Sequence, residues 1–202
     1  MYQSKLTTVD EAVKAISSGD RVVLAHACGE PQALTQAMFA RAPELHDVEI
    51  VHQVAMGGCP YCRPGMEKHF WHNSIFVGAT SRLAIKEGRG DYTPCFNYEI
   101  PRLFTQGFLP VDVAMVQVSS PDEHGCCSFG ISVDWTITAA KYARITIAQV
   151  NRNMPRTLGE TFMHISEFDH IVEVDEPLIE MTPPQIGSVE ENIGRYCAEL
   201  IE

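Results

Sequence analysis

RVVLAHACGEPQALTQAMFAR, residues 21–41, is the stretch that decides the fold. Its first six residues, RVVLAH, are apolar and β-branched, as a strand buried on both faces must be. Ala27-Cys28-Gly29-Glu30-Pro31 then turns the chain, and Pro31, whose fixed φ suits a first helical turn, opens a helix to about Arg41. A strand, a tight loop and a helix form half of a crossover unit, and the same alternation recurs on either side. Upstream, Thr8 and Glu11 have capping-box spacing for a helix over residues 8–18 that Gly19 stops. Downstream, residues 48–54 read as a strand, 56–65 as a Gly-rich loop and 74–77 as a short strand. Ser81 caps a helix over 81–87 that Gly88 ends, and 92–96 is extended because Pro94 forbids a helix there. VDVAMVQV at 111–118 and the run at 145–150 carry the clearest strand patterns, with a turn-rich stretch and a helix over 134–143 between them. HIVEV at 170–174 reads as the last strand.

Strands alternating with helices over short connections imply an α/β fold with a mainly parallel sheet flanked by helices, because parallel neighbours need crossovers that place helices on the sheet. Ligands bind such sheets beyond the carboxyl ends of the strands, which selects the loops 27–31, 56–61 and 78–82 as the candidate site. Residues 1–186 are expected to form one domain. After Pro183-Pro184, Ser188 and Glu191 repeat the capping-box spacing and open a helix with Ile193, Tyr196, Cys197 and Leu200 on one face. Residues 187–202 either close this domain with a last helix or lead from the proline-rich linker into a second one, and composition does not choose between the two.

Composition narrows the classes. With 45% hydrophobic and 20% charged residues, the 202-residue chain has the balance of a globular domain and not of a disordered one. A formal charge of −11 with scattered Lys and Arg disfavours nucleic acid and anionic membrane as partners. An anionic ligand would therefore depend on local donors, helix amino termini and a few arginines. The first ten residues lack a basic segment followed by an apolar core, and no stretch reaches the roughly 18 apolar residues of a membrane span, so the expected location is cytoplasmic. The seven cysteines are an odd number in a chain too large to need staples and are read as reduced thiols.

Several constellations have both a chemical and a plain reading. Cys59-Pro60-Tyr61-Cys62 with His69 and His72 resembles a zinc set, yet only six residues separate Cys62 from His69, and no hairpin or helix frames the pair. No metal ligands are assigned on that spacing. His26 ends the first strand, where a side chain meets the cleft; the plain reading is a satisfied core histidine. Glu30-Pro31 stand where a helix dipole favours a carboxylate without any substrate. Arg82, Lys86 and Arg89 lie three or four apart, either as a positive face for phosphates or as a solvated one. Gly57-Gly58 and Gly125 permit close backbone approach but belong to neither a GxGxxG nor a GxxxxGK pattern. Asp122-Glu123-His124-Gly125 with Ser128 reads as a turn, and no GxSxG elbow supports serine hydrolysis.

Taken together, five long segments resemble the acetyl-CoA hydrolase/transferase family, and especially its 4-hydroxybutyrate CoA-transferase members. They are SGDRVVLAHACGEPQAL (18–34), HFWHNSIFVGATSRLAIKEGRGDYTP (69–94), EIPRLF (99–104), DVAMVQVSSPDEHGCCSFGISVDWT (112–136) and AQVNRNMPRTLGETFMHISEFDHIVEVDEPL (148–178). The resemblance implies the amino-terminal α/β domain of a two-domain CoA-transferase with its active site between the halves. It further implies an acyl-CoA thioester and a small carboxylic acid as substrates, covalent catalysis with no bound cofactor, and a homo-oligomer in the full enzyme. The family's nucleophilic glutamate and Gly-rich loop belong to the second half, so no residue of this chain is assigned as nucleophile. Similarity places His26 beside that glutamate as an auxiliary group, and places Glu30, Pro31, Gly57, Gly58, Tyr61, Asn97 and Glu99 along the acyl and pantetheine cleft. Arg82 joins them as a candidate phosphate contact. Cys59, Cys62 and Gln149, which stands where many relatives carry glutamate, receive no role. An acyl-CoA hydrolase, in which water resolves the thioester, and a non-catalytic ligand-binding scaffold are the alternatives.

Overall fold

The computed structural model describes residues 2–201. Nine strands and seven α-helices follow one another in the alternation read from the sequence. Seven strands, β1 (Arg21–Leu24), β2 (Val48–His52), β3 (Phe70–Ser74), β4 (Gly90–Tyr92), β5 (Val113–Val118), β7 (Ile145–Val150) and β9 (His170–Glu173), form one sheet in the order β4-β3-β2-β1-β5-β7-β9. Every pairing in it is parallel. The remaining two, β6 (Cys126–Ser128) and β8 (Phe162–His164), pair as an antiparallel ribbon that the sequence reading did not anticipate.

Strand periodicity splits the core into two layers. Val22, Leu24, Ile50, Phe70, Met115 and Ile147 face α3 (Gln32–Ala40) through Leu34 and Met38, with α2 (Val9–Ala12) beside it. Val23, Ala25, Val51, Ala114, Val116 and Ala148 face α5 (Ile100–Thr105) and α6 (Thr136–Tyr142) through Phe104, Trp135 and Ala139. Both faces of β5 are buried along its whole length, which is why its sequence is apolar at every position but Gln117.

Differences from the sequence reading have local causes. The first helix is α-helical only over Val9–Ala12 and tightens to a 3-10 turn at Val13–Ala15, where the Arg41 guanidinium takes the carbonyls of Val13 and Ile16. Its cap is the expected one: Thr8 Oγ1 accepts from the Glu11 N–H at 3.3 Å. The third strand is Phe70–Ser74 and not 74–77; Val48 pairs with Phe70 and His52 with Ser74, so polar residues occupy ladder positions. α4 (Arg82–Lys86) follows Ser81, but that buried side chain makes no cap bond. α5 carries Pro101 in its first turn, where its missing N–H is harmless. In α7 (Ser188–Ala198) the cap lies one residue earlier than expected: the Glu190 carboxylate accepts from the Gly187 N–H at 2.9 Å. α1 (Tyr2–Lys5) lies against β9. Among the described residues no helix is long and apolar enough to cross a membrane.

Candidate functional site

β1 is the switch point of the sheet: later strands run outward to β4 on one side and to β9 on the other, leaving a crevice beyond the ends of β1, β2 and β5. His26, just past β1, leaves the ladder with extended backbone (φ −113°, ψ 175°), and Ala27 adopts a left-handed φ of +54° that turns the chain under the crevice. His26 Nε2 meets Asp134 Oδ2 at 2.7 Å, and its ring stacks on Trp135 at 5.0 Å between centroids and 16° between planes. Because a carboxylate only accepts, the proton of a neutral His26 sits on Nε2, and Nδ1, which has no partner, carries the lone pair. Asp134 Oδ1 also accepts from the Thr136 N–H at 3.2 Å, so one carboxylate orders α6 and orients the imidazole. Partial burial raises the Asp134 pKa, but hydrogen bonding to His26 and the backbone outweighs it and holds the group below its ordinary value. Behind the stack, Trp135 Nε1 donates to Gln53 Oε1 at 2.7 Å and Gln53 Nε2 donates to Asn97 Oδ1 at 2.7 Å.

Glu30 forms the second part of the site. It is 1% exposed, and its carboxylate turns away from α3 toward the loop after β2. There Oε2 accepts from the N–H groups of Gly57 at 2.8 Å and Met56 at 3.1 Å, while Oε1 has no partner. Burial raises the Glu30 pKa against the pull of those two N–H groups. A Cβ at position 57 would stand 2.4 Å from Glu30 Oε1, so the approach demands glycine. The dipole-capping reading of Glu30 therefore gives way. The start of α3 is served instead by Gln149 Oε1, which accepts from the Leu34 N–H at 3.4 Å, and by Pro31, whose carbonyl accepts from the Thr35 N–H. His52 Nε2 lies 3.9 Å from Glu30 Oε2, and His52 Nδ1 meets the Tyr61 hydroxyl at 2.6 Å. Burial, then the neighbouring His72, lowers the His52 pKa well below its ordinary value, so the ring is neutral.

The structure thus joins His26 and Asn97 through Trp135 and Gln53, and joins Glu30, Gly57 and Tyr61 through His52. Tyr61 is 2% exposed and belongs to the core beneath the crevice. Gly58 is exposed with φ +88°. Glu99 accepts from the Phe96 N–H and lines a hollow of about 360 Å³ with Tyr92, Pro94, Cys95 and Phe96. Arg82 is exposed on α4, but Arg89 falls beyond that helix and pairs with Glu87 at 2.6 Å, so Arg82, Lys86 and Arg89 do not share one positive face. Asp122 accepts from the N–H groups of His124 and Cys126, which makes that segment the expected turn. Sequence reasoning missed Gln53, His52, Asp134 and Trp135 as site residues. Its one trace of them was the helix expected over 134–143; the observed helix starts at Thr136, whose N–H donates to Asp134 Oδ1.

The fold is a parallel α/β domain with these polar side chains gathered at its topological switch point. Residues 1–183 match the family model described as the acetyl-CoA hydrolase/transferase N-terminal domain, and the chain belongs to that family. It is 52% identical over 202 residues to a 4-hydroxybutyrate coenzyme A transferase of Clostridium kluyveri, covering 100% of this chain and 47% of that protein. A succinyl-CoA:cyclohexane-1-carboxylate CoA transferase of Geobacter metallireducens is 41% identical, with 100% and 46% covered. Among solved structures, RipA from Yersinia pestis superposes with a TM-score of 0.93 at 33% identity, covering 100% of this chain and 49% of that one. A 4-hydroxybutyrate CoA-transferase from Porphyromonas gingivalis gives 0.82 at 39%, with 100% and 46% covered. The chain spans about half the length of the relatives it matches.

Proposed function

We propose that this chain is the amino-terminal half of a CoA-transferase that moves coenzyme A between short-chain carboxylates of the 4-hydroxybutyrate and acetate type. The observation that carries the reading is the 52% identity to a 4-hydroxybutyrate coenzyme A transferase, which extends over all 202 residues. In this reading a glutamate of the second half attacks the acyl-CoA and expels the coenzyme A thiolate, leaving an acyl-glutamyl anhydride; the thiolate then attacks the glutamyl carbonyl and releases the donor acid, and the acceptor acid resolves the resulting glutamyl-CoA thioester. His26 is the auxiliary group: Asp134 fixes its tautomer, and Nδ1 presents a lone pair, or a proton once the ring is charged, to the carboxylate or acyl oxygen. Glu30, Pro31, Gly57 and Gly58 shape the wall behind the acyl group, and Asn97, Glu99 and Arg82 stand on the side taken by pantetheine and phosphate. Support for a second body comes from α7, which buries none of its residues and exposes Ile193 and Tyr196. The reading includes a cytoplasmic setting, consistent with seven free thiols, and assembly of the full enzyme as a homo-oligomer.

The test is acyl exchange by the full-length protein. With an acyl-CoA and acetate, acetyl-CoA is expected to accumulate, and His26→Ala is expected to lower kcat/KM by about 10²-fold. Free coenzyme A appearing at the same rate with and without acetate would make the protein a hydrolase. Full exchange activity in residues 1–202 alone would remove the requirement for a second half.

A further inference from the structure

We propose that Cys59, Cys62 and His72 hold one zinc ion beneath the Gly57-Gly58 loop. Their ligand atoms, two Sγ and one imidazole nitrogen, all lie within 4.8 Å of one another, and all three residues are buried. The sulfurs are 2.7 Å apart. A tetrahedral zinc with bonds of about 2.0–2.3 Å sets neighbouring donors roughly 3.5 Å apart, so the two sulfurs would part by a little under 1 Å to take the ion, and the imidazole nitrogen is already within reach. With His69 and His72 weighed together, the sequence spoke against zinc through the six-residue gap from Cys62 to His69 and the lack of a framing hairpin or helix. His69 is spent elsewhere, with its Nδ1 on the Leu45 carbonyl at 2.8 Å, and the third ligand comes from β3 instead.

His72 is the independent observation. It is 1% exposed, and neither ring nitrogen has a hydrogen-bond partner. A buried imidazole with both nitrogens bare forfeits the free energy of its lost hydration. A disulfide between Cys59 and Cys62 would account for the thiols and leave both ring nitrogens bare, whereas an ion on all three accounts for the thiols and gives one His72 nitrogen a partner. Binding as two thiolates would release the two thiol protons. Two thiolates balance the ion's charge. The nearby Arg89 guanidinium, which also reaches the Cys62 carbonyl, is already paired with Glu87 and Glu67. Three protein ligands leave one position for water or another small donor. The bound ion would tie the 3-10 turn Pro60–Cys62 to β3 and brace the loop whose Gly57 N–H holds Glu30.

The proposal is independent of the coenzyme A reading and is tested without substrate. Full-length protein, reduced and then dialysed against zinc alone, is expected to retain one equivalent per chain by elemental analysis. Cobalt in its place is expected to give thiolate-to-metal charge-transfer bands. Cys59→Ser, Cys62→Ser and His72→Gln are each expected to lose the ion, while His69→Gln and Cys126→Ser keep it. Failure of the reduced wild-type protein to take up zinc, or a cobalt spectrum without sulfur ligation, would overturn the proposal even if the variants do not fold. So would zinc retained by the folded Cys59→Ser, Cys62→Ser double variant.

Discussion

Two groups of buried polar side chains flank β1, and they are built on opposite plans. On the β5–β7 side, Gln117, Gln149 and Asn151 are at most 2% exposed, and each is bonded. Asn151 Nδ2 donates to Gln117 Oε1 at 2.7 Å and to the Glu176 carbonyl at 2.8 Å; Gln149 Nε2 donates to Glu176 Oε1 at 2.6 Å; Gln117 Nε2 donates to the Glu30 carbonyl at 3.1 Å. On the β2–β3 side and at the end of β1, the buried atoms without partners include His26 Nδ1, Glu30 Oε1, His52 Nε2, both nitrogens of His72 and Ser74 Oγ. A closed amide network fixes one conformation, while orphaned groups lower stability and persist where the chemistry needs them. The contrast divides these side chains more sharply than burial does, since His52 and His72 are as inaccessible as the bonded amides.

That contrast can be broken by substitution. Asn151→Ala strips two donors and the acceptor for the Asn153 N–H from the closed network, and the expected loss is about 3 kcal/mol, read as a lower urea midpoint of the full-length protein. Gly57→Ala forces a Cβ against Glu30 and is expected to lower stability by about 2 kcal/mol. Glu30→Gln has the opposite sign. The Glu30 carboxyl holds its proton more tightly when folded, so its contribution favours the fold below the unfolded pKa and is lost as pH rises through the folded one. Glutamine keeps the acceptor for Gly57 and Met56 without the buried charge. The variant is expected to gain about 1 kcal/mol at neutral pH, a gain that shrinks in acid. A loss of stability at neutral pH would place Glu30 with the closed network after all.

The smallest effect is reserved for the exposed pair. Asp134 titrates below its ordinary value, so its contribution is present above the unfolded pKa and fades as pH falls through the folded one. Asp134→Asn is expected to lower the neutral-pH midpoint slightly and to leave stability in acid unchanged, so that the acid limb of the profile flattens. An unaltered acid limb would show that His26 and Asp134 do not interact in solution.

The fold was readable because its strands are long apolar runs: β5 and β7 sit within one or two residues of their expected bounds. β3 was misplaced because His72, Asn73 and Ser74 are polar yet lie in the ladder, and a pattern tuned to β-branched residues moves past them to 74–77. The site divides in the same way. His26 and Glu30 follow a strand and a turn that declare the crevice, so position alone points to them. Asp134 lies 108 residues from His26 and Gln53 lies 82 from Trp135, and nothing local in the sequence encodes those meetings. Gln149, left without a role, caps α3 for the same reason: its partner arrives from another crossover.

α7 draws a different consequence from its full exposure. An 11-residue helix with no buried side chain must hold itself together by its own caps and pairs, the Gly187–Glu190 bond and Arg195 near Glu199 among them. That is shorter than the roughly 12–15 residues at which an isolated helix becomes even marginal in water. In residues 1–202 alone, its amides should trade hydrogen for deuterium orders of magnitude faster than those of β5, so the carboxyl-terminal turns report whether anything has docked against them.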